Sequence, residues 1–170
     1  MVITIKTGTN HSEKVAFVKL TREYFIRHEK DFFALECNWT ALGETPWTRE
    51  NFLMEIPLKW KLSFAAEIDG RVVGYIIGSR FDEVTSRVNK IVVGSEQRRT
   101  GIGKKLLELY IEACKKEGIR RLELKALTGN NAANMLYEGQ GYTRMGTVPG
   151  TDGLMRVVYE RFLDLGDKEI

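Results

Sequence analysis

The sequence predicts a single α/β domain over residues 1–170, with about six to seven strands in one largely antiparallel sheet, one parallel pair of strands and about four helices. Three observations carry that expectation. The apolar runs 62–68 and 71–79 flank Asp69-Gly70, a dipeptide that favours a tight hairpin. The run 87–93 leads into Gln97-Arg98-Arg99-Thr100-Gly101-Ile102-Gly103, then an amphipathic stretch to Glu117, then a second strand over 121–126. A strand–helix–strand unit makes its two strands parallel. The segments 142–148 and 154–162 flank the turn residues Pro149-Gly150-Thr151-Asp152-Gly153 and form a closing hairpin.

The remaining elements follow in chain order. Residues 2–7 alternate as a first strand. Ser12-Glu13 reads as a helix start, with Val15, Val18, Leu20, Tyr24 and Phe25 at roughly helical spacing and helical character extending through Phe32-Phe33 to Leu35. Residues 38–46 form a loop. Thr48 is placed to cap a short helix over 49–55, which Pro57 ends. Trp39, Trp47 and Trp60 fall in this region, as pocket walls or as core packing. In the helix over 101–117, Gly103, Leu106, Leu107, Tyr110, Ile111 and Cys114 share a face opposite Lys105, Glu108 and Glu112. Cys114 therefore reads as a core thiol. Gly118 ends that helix, and Asn130 opens a shorter one to about Gly139.

Composition narrows the class. With 43% hydrophobic and 29% charged residues, the chain resembles an ordinary globular protein and has no apolar run of membrane-spanning length. Its start lacks the features of a signal peptide, so a cytoplasmic location is expected. The two cysteines, Cys37 and Cys114, suggest neither a disulfide framework nor a metal site. A net charge of +3 gives no case for nucleic acid. The basic residues gather instead at Arg98, Arg99, Lys104 and Lys105. They are either a solvated helix start or partners of a polyanion, since cations at a helix N-terminus oppose its dipole.

A glycine turn at a helix start exposes backbone N–H groups to an anion. Here Leu106 occupies the position of the third glycine of a dinucleotide fingerprint. Arg98 and Lys105 stand where a P-loop has Gly and Ser/Thr.

Arg98-x-x-Gly101-x-Gly103 follows Ile91-Val92-Val93. About thirty residues later comes Asn130-x-x-Ala133-x-x-x-Tyr137-x-x-x-Gly141-Tyr142. This pair, in this order, resembles the GCN5-related N-acetyltransferase (GNAT) superfamily. The resemblance is specific over residues 87–142. More narrowly, Pro46-Trp47-Thr48-x-x-x-Phe52-x-x-Glu55, the Asp69-Gly70 hairpin and Val73-Gly74-Tyr75 are similar to the ribosomal-protein and protein N-terminal acetyltransferase branch.

The resemblance implies a GNAT fold with its parallel pair splayed, and acetyl-CoA as acyl-donor substrate, with no metal. The pantetheine arm would lie in the gap beside Ile91, Val92 and Val93, with an oxyanion donor among the N–H groups near Val92 or Val93. The turn and helix start, Arg98, Arg99, Thr100, Gly101, Ile102, Gly103 and Lys104, would hold the pyrophosphate. Asn130 and Ala133 would contact CoA, although Asn130 serves equally as a plain cap. Tyr137 matches the family's general acid, against core packing as the alternative. Glu123 matches the base of the ribosomal-protein branch, against a surface ladder with Arg121 and Lys125, or a water-relayed base. Asn89 and Lys90 occupy the strand positions where many relatives carry an acid. The acceptor would be a primary amine on a protein or a small molecule, attacking directly in a ternary complex. Glu36, Glu44, Asp82 and Glu83 are candidates to bind it. The hairpin at 148–153 lacks the paired tyrosines common in protein N-terminal acetyltransferases, which keeps small amines open. A non-catalytic acyl-CoA-binding module is the competing reading. The protein is expected as a monomer or homodimer.

Overall fold

The computed structural model describes residues 1–7, 11–37 and 43–166, so Trp39, most of the 38–46 loop and the end of the tail lie outside the described residues. The chain forms β1 (Val2–Thr7), β2 (His11–Lys19), α1 (Arg22–Cys37), α2 (Arg49–Leu53), β3 (Phe64–Ile68), β4 (Arg71–Arg80) and β5 (Thr85–Val93). It continues through α3 (Ile102–Lys116), β6 (Arg121–Leu127), α4 (Asn131–Gly139), β7 (Thr143–Pro149) and β8 (Met155–Phe162). The strands form one sheet of eight in the order β1-β2-β3-β4-β5-β6-β8-β7. Every neighbouring pair is antiparallel except β5 and β6.

The strand beyond the expected six to seven is β2, in the segment whose spacing suggested a helix. Val15 and Phe17 point to one buried face while Val18 packs on the other side of the sheet, which is a period of two. Val15 and Val18 are also three apart, so both periods fit. The β-branched residues and pairing with both β1 and β3 decide for a strand. The helix starts later: Thr21 Oγ1 accepts the Tyr24 N–H at 3.1 Å, so Thr21 is the cap that opens α1.

The other local signals hold. Thr48 and Asn51 form a reciprocal capping box on α2. Asp69 and Gly70 both adopt positive φ, 49° and 75°, as a tight hairpin of this hand requires. The buried ammonium of Lys59 donates to the carbonyls of Phe52 (2.5 Å) and Met54 (2.8 Å), closing the C-terminal end of α2.

The sheet is covered on both faces. One carries α3 and α4, with Leu106, Leu107, Tyr110 and Tyr137 packed on Ile76, Leu122, Leu124 and Tyr159. The other carries α1 and α2, with Phe25, Phe32, Leu35 and Phe52 on Tyr75, Ile77 and Val92. Phe25, Phe32 and Phe52 stack edge to face or in parallel, with ring centroids 4.7–5.5 Å apart. Cys114 is a core thiol, and burial pushes its pKa up to about 11.

Candidate active site

The parallel pair opens the sheet. β5 and β6 pair only at Thr85↔Arg121, Ser86↔Leu122 and Arg87↔Glu123. Beyond Arg87, β5 continues with β4 and β6 continues with β8, leaving a gap. The cause lies in β5. Opposite β4 the register jumps from Ile77↔Lys90 to Gly78↔Val88, so Asn89 is an extra residue with no partner. A bulge of this kind bends its strand. Ser79 Oγ donates to Asn89 Oδ1 at 2.8 Å and fixes it.

A cleft of about 1190 Å³ runs through this gap. Backbone groups line it by default. Gly94 N–H donates to Val73 O on β4, so alternation along an antiparallel strand turns the N–H groups of Val93 and Ile91 toward the gap. The N–H of Val92 faces β4, and its side chain is buried in the cluster under α1. Of the two expected oxyanion donors, only Val93 therefore faces the cleft. Thr100 also sits off the wall. Its hydroxyl donates to Gln97 O and closes the turn. Ile91, Val93, Arg98, Arg99, Gly101, Ile102, Gly103, Lys104, Glu123, Asn130, Ala133 and Tyr137 all line the cleft.

The turn before α3 fits a phosphate. Gly101 caps the helix in the left-handed region (φ +88°), where a Cβ would be strained, and no side chain caps the helix N-terminus. The first chain N–H to find a helical carbonyl is that of Lys105, on Gly101 O. The preceding N–H groups of the first turn have no intrahelical acceptor and point out with the positive end of the dipole. A Cβ on Gly103 would lie 3.5 Å from Val93 and 3.6 Å from Leu136, ordinary contacts, so the protein's own packing leaves space there. Asn130 Oδ1 accepts the Ala133 N–H at 3.2 Å, which makes it the cap of α4.

Tyr137 projects from α4 between Tyr142 and Tyr159, with ring centroids 6.0 and 5.7 Å away. It is 4% exposed, enough to place its wall at the cleft. Burial, then the carboxylate of Glu44 and the neighbouring Tyr159, push its pKa well above the usual phenol range. The phenol therefore keeps its proton at neutral pH.

Glu123 is buried at the floor of the gap, so it is not part of a solvated ladder. Its Oε1 lies 2.9 Å from Arg87 Nε and its Oε2 lies 3.5 Å from Arg121 Nη2, which also bonds Glu160 at 2.6 Å. Alternation places Glu123 on the α1–α2 side of β6, since Leu122, Leu124 and Ala126 all pack under α3 and α4. Among the described residues, no cluster of three or more His, Cys, Asp or Glu side chains is arranged to hold a metal ion.

The wall on that side comes from segments distant in sequence. Glu36, buried beneath it, accepts from the Tyr75 hydroxyl and from the Trp47 N–H (2.7 Å), and pairs with Lys90 at 3.3 Å. Trp47 and Lys90 line the cleft with Glu44, Thr151, Asp152 and Arg156. Asp82 and Glu83 do not. Asp82 accepts the N–H groups of Val84 and Thr85 and shapes the β4–β5 turn. Sequence reasoning missed Arg156. Its only local sign was a charged residue just after a glycine-rich turn.

The Acetyltransferase (GNAT) family profile matches residues 16–142. The chain is 31% identical over 113 residues to the [ribosomal protein bS18]-alanine N-acetyltransferase of Escherichia coli K12, covering 64% of this chain and 74% of that protein. The crystal structure of the E. coli ribosomal-protein-S18-alanine N-acetyltransferase superposes with a TM-score of 0.72 at 21% identity, covering 92% of this chain and 98% of that one. Ard1 from Thermoplasma volcanium gives 0.73 at 19% identity, with 88% and 97% covered. A chain of the NatC complex bound to Gag peptide and CoA gives 0.68 at 22%, with 88% and 99% covered. These structural likenesses are likenesses of fold. With a family profile spanning most of the sheet and a cleft that opens where the family motifs fall, the chain belongs to the acetyltransferase (GNAT) family and is an acetyl-CoA-dependent N-acyltransferase.

Proposed function

We propose that the protein acetylates the primary amine of a peptide N-terminus or a small molecule by direct attack within a ternary complex. The observation that carries this reading is the gap between β5 and β6, with Tyr137 on its α4 side and Glu123 on its α1–α2 side. Acetyl-CoA supplies an activated thioester. The N–H groups at the start of α3 receive its pyrophosphate, Arg98 adds a charge-assisted contact, and the gap-facing backbone of Ile91 and Val93 aligns the pantetheine arm. The Val93 N–H stabilises the oxyanion that develops at the carbonyl. Glu123 takes the proton of the arriving ammonium, through a water where the amine stands out of direct reach. Tyr137, protonated at neutral pH, gives its proton to the departing thiolate, and the remaining extra proton on the adduct nitrogen returns to the phenolate as the amide forms. The two roles fall on opposite faces of the sheet, with Tyr137 on the donor side and Glu123 on the acceptor side of one cleft.

The similarity to alanine N-acetyltransferases favours a protein N-terminus as acceptor. Glu44 and Trp47 line the acceptor-side wall, beside a hairpin that carries no paired tyrosines. The test is mass spectrometry of products from acetyl-CoA with a panel of peptides and small amines. Acetylation at the α-amine of at least one peptide, above lysine and polyamine acceptors, is expected. Tight acetyl-CoA binding without turnover on any amine would favour a binding module.

A further inference from the structure

On the acceptor face, the mouth of the cleft is spanned by a bridge between segments 112 residues apart in sequence. Arg156 Nη2 donates to Glu44 Oε1 (3.0 Å) and Asp152 Oδ2 (2.7 Å). Its Nη1 donates to Asp152 Oδ1 (2.8 Å) and Leu154 O (3.3 Å). The bridge packs directly over the hairpin backbone at Gly150. A Cβ at Gly150 would overlap Arg156 Nη1 and come within 2.6 Å of Asp152 Oδ1.

The two Nη atoms carry four hydrogens, and all four are engaged, so Arg156 has no free pair of N–H groups with which to fork a carboxylate. Nearby, Lys90 is paired with buried Glu36. Lys125, on β6, also lines the cleft on this face, as an exposed, solvated ammonium. The bridge uses one oxygen of Glu44. The other makes no hydrogen bond among the described residues, and the side chain lines the cleft. Its charge also reaches the reaction centre, being felt at the Tyr137 hydroxyl.

We infer that Glu44, oriented by Arg156, is the specificity-determining residue of the acceptor site. Its carboxylate receives the acceptor's ammonium group and selects amines with no free carboxylate on the adjacent carbon. Peptide N-termini and simple amines meet that condition. A free amino acid places its own carboxylate beside Glu44 and Asp152, two like charges against the one solvated ammonium of Lys125. Arg156 and Asp152 act through Glu44 as positioning residues. The inference rests on the acyl-transfer reading above, but its test does not require turnover.

The test is calorimetric titration of the protein, with and without CoA, using L-alaninamide and L-alanine, which share the ammonium and differ in the carboxylate. Steady-state kinetics on the same pair accompany it. The wild type should bind alaninamide about tenfold or more tightly than alanine. Glu44→Gln should weaken alaninamide binding about tenfold and largely remove the preference. Glu44→Asp should keep it, and CoA affinity should be unchanged in both variants. In kinetics the loss should appear in KM more than in kcat. Equal binding of the two ligands by the wild type, no binding of alaninamide, or a preference that survives in Glu44→Gln would overturn the inference. Intact selection without acetyl transfer would instead count against the acyl-transfer reading alone.

Discussion

Glu123 and Tyr137 carry the proposed chemistry, and each is held in place by its neighbours. Glu123 is a buried carboxylate with guanidinium groups on both sides, Arg87 and Arg121. Those partners keep it in place at the floor of the gap and offset the cost of burying its charge. Tyr137 is a buried phenol whose surroundings favour the protonated form. If Glu123 is the base, Glu123→Gln should lower kcat/KM by about 100-fold or more, with acetyl-CoA affinity preserved. A variant with wild-type kcat/KM would remove Glu123 from the role. The sequence offered both residues by motif position. It did not show that Arg87, on a different strand, pairs with Glu123. That contact exists only because β5 and β6 are parallel and in register at Arg87↔Glu123.

At the scale of elements, the Gly101 turn and the Asn89 bulge prepare the site. The turn was legible because its signal is local: glycine in a left-handed conformation at the start of an amphipathic helix. Gly101→Ala should cost about 1–2 kcal/mol of stability, from the Cβ strain at positive φ, read as a lower denaturation midpoint. It should raise KM for acetyl-CoA more than KM for the amine, because the displaced N–H groups belong to the donor side. Equal effects on both constants would show that the turn does not hold the donor. The bulge was not legible. Nothing in Val88-Asn89-Lys90 marks an extra residue, since a bulge is defined by the register of the opposite strand, here β4. The same limit explains β2. Val15 and Val18 satisfy both helical and strand spacing, and only their pairing with β1 and β3 settles the matter. Thr21, the cap that opens α1, was the local clue that would have moved the helix start past Lys19.

Across the whole molecule, one sheet divides the work between its faces. The α3–α4 face carries the turn, the Asn130 cap and Tyr137, and the α1–α2 face carries Glu123, Lys90, Trp47 and the Glu44–Arg156 bridge. The donor side was readable in the sequence because its motifs lie within residues 91–137. On the acceptor side the sequence offered Glu36 and Glu44 as candidates, but not Arg156, nor the contacts that tie Glu36 to Trp47 and Glu44 to the hairpin, which only the folded sheet creates. In the proposed reaction this sheet hands an acetyl group from a thioester in the gap to an amine, with Tyr137 protonating the thiolate. The most direct measurement is free-thiol release from acetyl-CoA in the presence of an acetylatable peptide, comparing the wild type with Tyr137→Phe. Acceptor-dependent thiol release that falls about 100-fold or more in the variant, with acetyl-CoA affinity preserved, is the predicted result. Release at the wild-type rate in Tyr137→Phe would contradict it.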